Sequence, residues 1–329
     1  MIKQQIILRA DAGKNIGYGH FIRSLALAGY LKDYFDCSFC TFNPSELSPT
    51  AYQLTEINKV CSYIPVEATD LDDYNKRFLE LLSGKEIVVL DNYYFQTDYQ
   101  AAIRAKNCKL VCIDDLHDRH MVADAILTPS PLTPSDFSLE TYTKFLGGVK
   151  YSLLREPFFK TPQKTLTQHP PRKIVLAIGG ADPYKLTQKL LSIILKIDST
   201  LHICIIAGDT VEVETDNHPL VKIFRRLSGE EIAALFSWAD LAILPTSTIC
   251  MEAFACHLPV AAGWYVDNQK EVYHNGVKEG SYMPLGYLLD DSGRLYTSLE
   301  KVLSTPPLPP PVIDFEAGRN DIIKLFKFL

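Results

Sequence analysis

The chain has 329 residues, enough for two domains or one large one, and 47% of them are hydrophobic, enough for buried cores. Its net charge of −6 argues against a dedicated nucleic-acid-binding protein, which usually carries a basic face. No apolar run is long enough for a transmembrane helix, and the stretch Ile6–Leu8 is too short for the core of a signal peptide. We therefore expect a cytoplasmic protein without nucleic-acid or integral membrane contact.

In the first half of the chain, short apolar, β-branched runs alternate with segments whose apolar residues recur every three to four positions. The segments between the runs predict helices at 20–33 and 74–84. The runs themselves predict strands at 5–9, 37–42, 86–91, 109–114 and 124–128. Continuous apolar strands joined by helices indicate a parallel sheet that is covered on both faces.

A polar segment with three prolines, 159–173, interrupts this alternation and is typical of a linker. The alternation then restarts, with helices predicted at 183–197 and 228–239. Strands are predicted at 173–180, 201–209, 220–226, 240–245, 258–263 and 286–291. A proline-rich stretch, 304–315, precedes a last predicted helix, 316–329, and is either a spacer or a crossover back to the first domain.

These elements predict an α/β protein with two Rossmann-like domains and a cleft between them. The predicted parts are an N-terminal domain at 1–160, a linker at 161–172, a nucleotide-binding domain at 173–303 and a C-terminal segment at 304–329. Open α/β sheets bind ligands at the carboxyl ends of their strands. We therefore expect the polar loops of both halves to contribute to one composite site.

The first of these loops lies in the stretch Arg9–Ala28, RADAGKNIGYGHFIRSLALA. Ile22 stands where the dinucleotide fingerprint needs its third glycine, and no Gly-Lys-Ser/Thr follows, so the loop is neither that fingerprint nor a P-loop. Its glycines allow the backbone to approach a ligand closely. His20 lies at a helix N-terminus, where the helix dipole disfavours an added proton. The imidazole is therefore either a general base or an exposed residue of a tight turn.

Two loops of the second half have the composition of an anion site, and a third loop, after a predicted strand, offers the amides Asn268 and Gln269. Gly179 and Gly180 end a predicted strand, and Asp182 is predicted as the N-cap of the next helix, with proline at its first position. The predicted helix start at 246–248 supplies free backbone N–H groups and hydroxyls that suit a diphosphate. The nearby carboxylate of Glu252 suits a ribose. Ordinary helix capping is the alternative. The remaining residues of these loops are Thr246, Ser247, Thr248, Glu252, Asn268 and Gln269.

Metal binding has little support in the sequence. Most of the eight cysteines lie in apolar runs, which predicts burial, and the pair Cys37 and Cys40 has no second pair at zinc spacing. The acidic and histidine-rich stretch 114–120 follows a predicted strand, where polar residues gather, and has no His pair at i, i+4. Asp91 and Tyr93 likewise follow a strand and are either cleft residues or ordinary strand-end polar groups. We expect no metal.

The first loop resembles the N-terminal signature of the UDP-2,4-diacetamido-2,4,6-trideoxy-β-L-altropyranose hydrolases of the pseudaminic acid pathway, whose pattern is roughly R-x-D-x-x-x-x-I-G-x-G-H-x-x-R-x-L-x-L-A. The similarity continues along most of the chain, through D-x-Y at 91–93, CIDD at 112–115, GVKYSLLREPF at 148–158, GGADP at 179–183, Glu252 and DNQ at 267–269. Two positions depart from the pattern: His257 replaces a glycine, and Thr128 stands where the family has asparagine.

The resemblance implies a GT-B fold, related to the peptidoglycan N-acetylglucosaminyl transferase, and a UDP-sugar substrate without a cofactor. It also implies that His20 is the base that activates water. The expected nucleotide-binding residues are Gly179, Gly180, Asp182, Thr246, Ser247, Thr248 and Glu252. The expected substrate-binding residues are Arg9, Asp11, Gly17, Gly19, Arg23, Tyr93, Asp115, Tyr151, Arg155, Asn268 and Gln269.

Three functions fit these residues. The first is a hydrolase that releases UDP from a UDP-linked diacetamido-trideoxy or related amino sugar in surface glycan biosynthesis. The second is a GT-B glycosyltransferase in which His20 deprotonates a sugar hydroxyl. The third is a non-catalytic binder of nucleotide sugars, which the complete first loop disfavours. The sequence does not indicate the oligomeric state.

Overall fold

The computed structural model of the protein describes residues 3–13, 16–43, 46–162, 164–180 and 182–329. Lys14 and Asn15 of the first glycine loop, Gln163 of the predicted linker and Ala181 of the second glycine loop lie outside the described residues. The chain forms two compact units. Unit 1 comprises Met1–Arg155 and Asp314–Leu329, and unit 2 comprises Glu156–Ile313.

Unit 1 is built on a parallel sheet of seven strands in the order β3-β2-β1-β4-β5-β7-β9. Strands β6 and β8 form a separate parallel pair. The strands are β1 (Gln5–Arg9), β2 (Asp36–Cys40), β3 (Ser62–Tyr63), β4 (Ile87–Leu90), β5 (Lys109–Ile113), β6 (His120–Met121), β7 (Ala125–Thr128), β8 (Ser138–Leu139) and β9 (Lys144–Gly147). The central strands β1 and β4 are buried almost throughout, which explains their continuous apolar sequences.

The helices of unit 1 cover this sheet. They are α1 (Gly19–Leu31), α2 (Ala51–Asn58), α3 (Leu71–Leu81), α4 (Thr97–Ala105) and the C-terminal α10 (Phe315–Lys327). Helix α3 begins where the Asp70 carboxylate caps the backbone N–H of Asp73, and α2 begins with a capping box between Thr50 and Gln53. Phe78 and Ile103 are completely buried and belong to the core between sheet and helices.

Unit 2 has a parallel six-stranded sheet in the order β12-β11-β10-β13-β14-β15. Its strands are β10 (Lys173–Gly179), β11 (His202–Ala207), β12 (Val221–Phe224), β13 (Leu241–Pro245), β14 (Val260–Trp264) and β15 (Met283–Tyr287). Its helices are α5 (Leu186–Ile197), α6 (Gly229–Trp238), α7 (Thr248–Ala255), α8 (Asp267–Lys278) and α9 (Ser292–Ser304). Helices α5 and α9 pack together, and α6 packs on α7.

The sequence predicted ten of these strands close to their observed positions and misplaced one. The strand predicted at 286–291 is β15, which ends at Tyr287, so most of the prediction is wrong. β15 contains Pro284 and a left-handed Gly286, both unusual within a strand. Proline is tolerated there because β15 lies at the edge of the sheet.

Seven of the eight cysteines are buried, as their apolar surroundings predicted. Among the described residues, no helix is long and apolar enough to cross a membrane.

The chain returns to unit 1 at Asp314, and α10 packs on α1 and on the short 3₁₀ turn Val149–Tyr151. Gly318 lies where α10 meets this turn, and a Cβ there would overlap the carbonyl oxygen of Lys150. The carboxylate of Asp321 accepts hydrogen bonds from Lys150 Nζ (2.9 Å) and the Tyr151 hydroxyl (3.3 Å). Close backbone approach therefore docks the C-terminal helix.

Gly318→Ala should lower the free energy of unfolding by about 1–3 kcal/mol, because α10 must move to accommodate the methyl group. Gly29→Ala in α1 is the matched control, since a Cβ at that helical position meets open space. The control should be neutral or raise the unfolding free energy by about 0.5–1 kcal/mol, because alanine stabilises a helix interior relative to glycine. Urea unfolding of the two variants measures both changes. Equal effects would contradict the proposed close contact.

Candidate functional site

In unit 1, the first glycine loop joins the carboxyl end of β1 to α1. The backbones of Gly13 and Gly17 pair across this loop, with Gly17 N–H donating to Gly13 O at 2.8 Å. Gly17 has a φ of 72°, in the left-handed region that favours glycine. Gly19 is the first residue of α1 and His20 the second. The loop therefore places the His20 imidazole in the first turn of α1, as the sequence predicted.

The side chain of Asp91, directly after β4, is the centre of a buried cluster. Its Oδ1 lies 2.7 Å from His20 Nδ1 and accepts from Arg23 Nη2 at 2.6 Å. Its Oδ2 accepts from Arg23 Nε at 2.7 Å and from the Ser24 hydroxyl at 2.9 Å. Asp91 is completely buried, and His20 is 8% exposed. One carboxylate thus binds three side chains from the first two turns of α1.

The partners of His20 determine its tautomer. The Arg23 guanidinium is also near Nδ1, at 3.1 Å, but it carries no acceptor, whereas the carboxylate of Asp91 only accepts. Nδ1 therefore carries the proton and donates it to Asp91. In the neutral imidazole Nε2 is then an acceptor, and it makes no hydrogen bond to the described residues. The ring of Tyr93 meets the imidazole edge-to-face, with centroids 4.5 Å apart.

Asp91 stays ionised over the physiological range. Burial by itself would raise the pKa of Asp91, but the Arg23 guanidinium and the His20 imidazole outweigh it and hold the pKa at about 2. Burial would lower the pKa of Arg23, and Asp91 and Asp115 reverse this, so the pKa is raised. The cluster is therefore a stable anion–cation pair that keeps an acceptor next to the imidazole.

Asp115, after β5, extends this cluster. Its Oδ2 accepts from Arg23 Nη1 at 3.1 Å, and its side chain is 22% exposed. The structure thus brings together four of the residues predicted from the sequence, namely His20, Arg23, Tyr93 and Asp115. It adds Ser24, and it adds Asp91, for which the sequence left a cleft residue and an ordinary strand-end residue as alternatives. Asp91 could be suspected because it ends a strand beside Tyr93, but nothing in the sequence marks Ser24.

Arg9 and Asp11 were predicted to bind substrate, and the structure places both side chains in the interior of unit 1. Both side chains are completely buried and pair with each other at 3.3 Å. The Arg9 guanidinium lies among the rings of Tyr74, Phe78, Phe95 and Tyr99. Asp11 accepts from the backbone N–H of Phe42 at 2.7 Å and from the hydroxyl of Tyr94. The two residues therefore tie the start of the first loop to neighbouring strand ends.

Tyr151 and Arg155 were also predicted to bind substrate, and of these two Tyr151 has its hydroxyl directed to the C-terminal helix. Tyr151 is buried, and its hydroxyl binds Asp321 on α10. Arg155 is half-buried at the last position of the first segment of unit 1. The contacts of Tyr151 give it a role in docking the C-terminal helix.

In unit 2, the second glycine loop follows β10. Gly179 has a φ of 134°, which favours glycine, and a Cβ on either Gly179 or Gly180 would meet open space. The prediction that Asp182 is the N-cap is wrong, because α5 begins at Leu186. The Asp182 carboxylate nevertheless accepts the N–H groups of Leu186 and Thr187, each at 2.8 Å. It therefore occupies the helix start at which an anion was expected.

The start of α7 is more open. Ser247 is the N-cap residue, but its hydroxyl makes no capping hydrogen bond, and both Ser247 and Thr248 are exposed. Thr246 is buried, and its hydroxyl donates to the carbonyl oxygen of Gln269 at 3.1 Å. Glu252 is a buried residue one turn into the helix. An uncapped helix start with exposed hydroxyls retains the N–H groups that an anion needs.

Asn268 and Gln269 were predicted in a loop, and they lie instead in the first turn of α8. Asn268 is exposed. Gln269 is buried, and its Oε1 accepts the backbone N–H of Tyr265 at 3.1 Å. Of the two amides, Gln269 is thus engaged in holding its own loop.

The part of the chain that the structure describes contains no group of three His, Cys, Asp or Glu residues arranged to hold a metal ion. In the stretch 114–120, the Asp114 carboxylate accepts the N–H groups of Leu116 and His117. His120 contacts Ser138 and Glu140 instead.

Replacing Asp91 with asparagine should lower the unfolding free energy by about 3–5 kcal/mol at pH 7, because it removes the buried counter-charge of Arg23. The pKa of Asp91 is about 2 in the folded protein, below its ordinary value near 3.9. The carboxylate therefore stabilises the fold above that ordinary value, and this contribution is lost as the pH falls toward 2. The difference in unfolding free energy between the wild type and Asp91→Asn should therefore become smaller as the pH falls through that range.

Urea unfolding at a series of pH values measures this difference. Asp33→Asn is the control, because Asp33 is exposed after α1, and it should change stability by less than about 0.5 kcal/mol. A wild-type-minus-Asp91→Asn difference that is independent of pH would contradict the ionised pair.

Comparison with known proteins gives the fold and distant relatives. No family model matches the chain. An uncharacterized protein of Methanocaldococcus jannaschii is 24% identical over 308 residues, covering 87% of this chain, which spans only 62% of that protein's length. The UDP-2,4-diacetamido-2,4,6-trideoxy-β-L-altropyranose hydrolase of Campylobacter jejuni is 22% identical over 277 residues, 81% of this chain and 93% of the hydrolase.

Solved structures match nearly the whole chain. The UDP-GlcNAc 2-epimerase of M. jannaschii has a TM-score of 0.61 at 13% identity, covering 99% of both chains. The S. aureus MnaA–UDP co-structure has a TM-score of 0.61 at 10% identity, covering 99% of this chain and 98% of that one. MurG of Acinetobacter baumannii has a TM-score of 0.58 at 13% identity, covering 99% of this chain and 100% of that one. The chain has the α/β GT-B fold of these proteins.

Proposed function

We propose that the protein is a nucleotide-sugar hydrolase that releases UDP from a UDP-linked diacetamido-trideoxy sugar, or a related amino sugar, in surface glycan biosynthesis. The observation that carries the proposal is the His20 imidazole, whose Nδ1 is held by the buried Asp91 and whose Nε2 remains an acceptor. The distant similarity to the C. jejuni hydrolase supports the reaction type. A GT-B structure that contains UDP supports the nucleotide.

In the proposed reaction, His20 Nε2 takes a proton from a water molecule as the water oxygen attacks the anomeric carbon. The bond from that carbon to the phosphate oxygen breaks, and UDP leaves with the bonding electron pair. The products are the free sugar and UDP, and the imidazolium later returns its proton to solvent. Asp91 stabilises the imidazolium and fixes the ring, the role of the third group in base-activated catalysis.

The proposed UDP-binding residues lie in unit 2. The N–H groups at Ser247 and Thr248 bind the diphosphate and stabilise the charge that develops on it. Glu252, within the same helix, binds the ribose. Gly179 and Gly180, without side chains, allow the ligand to approach the backbone closely. Asp182 no longer belongs to this set, because its carboxylate already binds the start of α5.

A glycosyltransferase is the second candidate. The same Nε2 acceptor can take a proton from a sugar hydroxyl instead of water, and the calicheamicin glycosyltransferase CalG4 matches this chain with a TM-score of 0.58 at 12% identity. The two reactions differ in what they require: the hydrolase needs only water, and the transferase needs a second sugar.

His20→Asn should lower the rate of UDP release by about 10²–10⁴-fold, because it removes the proton acceptor. Asp91→Asn should lower the rate by a similar factor and change its pH dependence, because the amide no longer holds the Nδ1–H tautomer. UDP release from UDP-linked diacetamido-trideoxy sugars measures both effects. His202→Gln is the matched control, an exposed histidine at the start of β11. Full activity of His20→Asn would reject this mechanism.

The same assay distinguishes the two reactions and a non-catalytic binder. A hydrolase releases UDP and free sugar in equal amounts without any acceptor. Slow release that rises when a glycan acceptor is added identifies a transferase. Binding without release, unaffected by His20→Asn, identifies a protein that only binds nucleotide sugars.

A further inference from the structure

Two tyrosines that the proposed function does not use lie beside its UDP-binding loops. Tyr184 follows β10 in the second glycine loop, and Tyr265 directly follows β14. Their rings meet edge-to-face, with centroids 6.0 Å apart and planes at 68°. Tyr184 is 53% exposed, the largest exposed fraction of any tyrosine among the exposed hydrophobic residues described. We call these two residues the tyrosine pair.

The sheet order places the tyrosine pair around the start of α7. Strand β13 lies between β10 and β14, and α7 begins directly after β13. The loops that carry Tyr184 and Tyr265 therefore flank the helix start that we assign to the diphosphate. In a parallel sheet, the carboxyl ends of adjacent strands share one edge, so all three loops lie at the ligand-binding edge of unit 2.

Tyr265 is held in place by residues of these loops. Its backbone N–H donates to Gln269 Oε1 at 3.1 Å, and the carbonyl oxygen of Gln269 accepts from the Thr246 hydroxyl at 3.1 Å. Burial, and next the nearby Asp182 carboxylate, raise the pKa of Tyr265, so its phenol stays neutral. Gln269, which the sequence predicted to bind substrate, is thus a positioning residue for a rigid aromatic ring.

The tyrosine pair lies on the opposite side of the sheet from Glu252. Tyr265 packs against the core formed by residues of α5 and α9, such as Leu190 and Leu299. Glu252 belongs to α7, which packs on α6. The connection β10–α5–β11 and the connection β13–α7–β14 run toward opposite edges of the sheet, so right-handed crossovers place α5 and α7 on opposite faces. In the proposed binding mode the ribose lies at Glu252 and the diphosphate at the start of α7, so the sugar would continue across the sheet edge toward the tyrosine pair.

We propose that the tyrosine pair contacts the apolar groups of the sugar, namely the methyl carbon of a 6-deoxy sugar and the methyl groups of its acetamido substituents. This inference rests on the proposed function and assigns the part of the site that selects the sugar. Exposed aromatic rings bury large apolar areas at little entropic cost, and small-molecule sites use them beside a few polar groups. A hydroxyl at C6 would lose solvation against such a surface, so the pair favours deoxy sugars.

The test measures binding by calorimetry in a His20→Asn background, which prevents turnover. The probes are UDP, UDP-2,4-diacetamido-2,4,6-trideoxyaltrose and UDP-N-acetylglucosamine, which has a C6 hydroxyl. Tyr184→Ala should weaken binding of the deoxy probe by about threefold to tenfold and bring its affinity closer to that of UDP-N-acetylglucosamine. Affinity for UDP alone should stay within about twofold. Tyr184→Phe should retain the wild-type preference, because it retains the ring.

Tyr34→Ala is the matched control, because Tyr34 is 48% exposed after α1, and it should leave every affinity unchanged. Equal loss of affinity for UDP and for both sugars would overturn the proposal, since the pair would then serve the nucleotide. An unchanged preference for the deoxy probe in Tyr184→Ala would overturn it as well, while leaving the proposed function intact. If the His20→Asn protein binds neither UDP nor any UDP-sugar, the proposed function itself fails, and the assignment of the pair fails with it.

Discussion

The carboxylate of Asp91 is the constraint on which the candidate site depends. It is completely buried at the end of β4 and accepts hydrogen bonds from His20, Arg23 and Ser24. A buried carboxylate without such donors is costly, so the three side chains of α1 have one favourable arrangement. This arrangement attaches the start of α1 to the central sheet and orients the imidazole in the same step. Fold stability and the chemistry of the site thus share one ion pair.

Other polar side chains at strand ends form hydrogen bonds that hold loops in place. These bonds occupy groups that would otherwise be available to a ligand. Asp11 ties the first loop to Phe42 and Tyr94, Asp182 binds the start of α5, and Gln269 holds Tyr265. Each satisfies backbone or side-chain groups that would otherwise be buried without partners. Among the described residues, the groups that stay open include His20 Nε2 in unit 1 and the start of α7 with Tyr184 in unit 2.

Much of the fold could be predicted because its central strands are buried on both faces and therefore continuously apolar. Elements that depend on their neighbours could not. The two-residue strand β3 is too short to carry a pattern, and α8 begins with DNQKE, a polar sequence that suggested a loop. The edge strand β15 was misplaced because Pro284 and Gly286 obscure its pattern. The prediction of buried cysteines was confirmed because burial follows from local apolarity.

The sequence by itself determined the alternation of strands and helices, the glycine loop after the first strand, and the place of His20 at the start of α1. Only the tertiary structure decided which polar residues meet. Asp91 lies 71 positions from His20, and Arg9 lies 90 positions from Tyr99, to which its guanidinium donates. Such pairs depend on the order in which strands assemble, here with β1 beside β4. Local patterns report which face of an element is buried, but strand order is the result of packing the whole sheet.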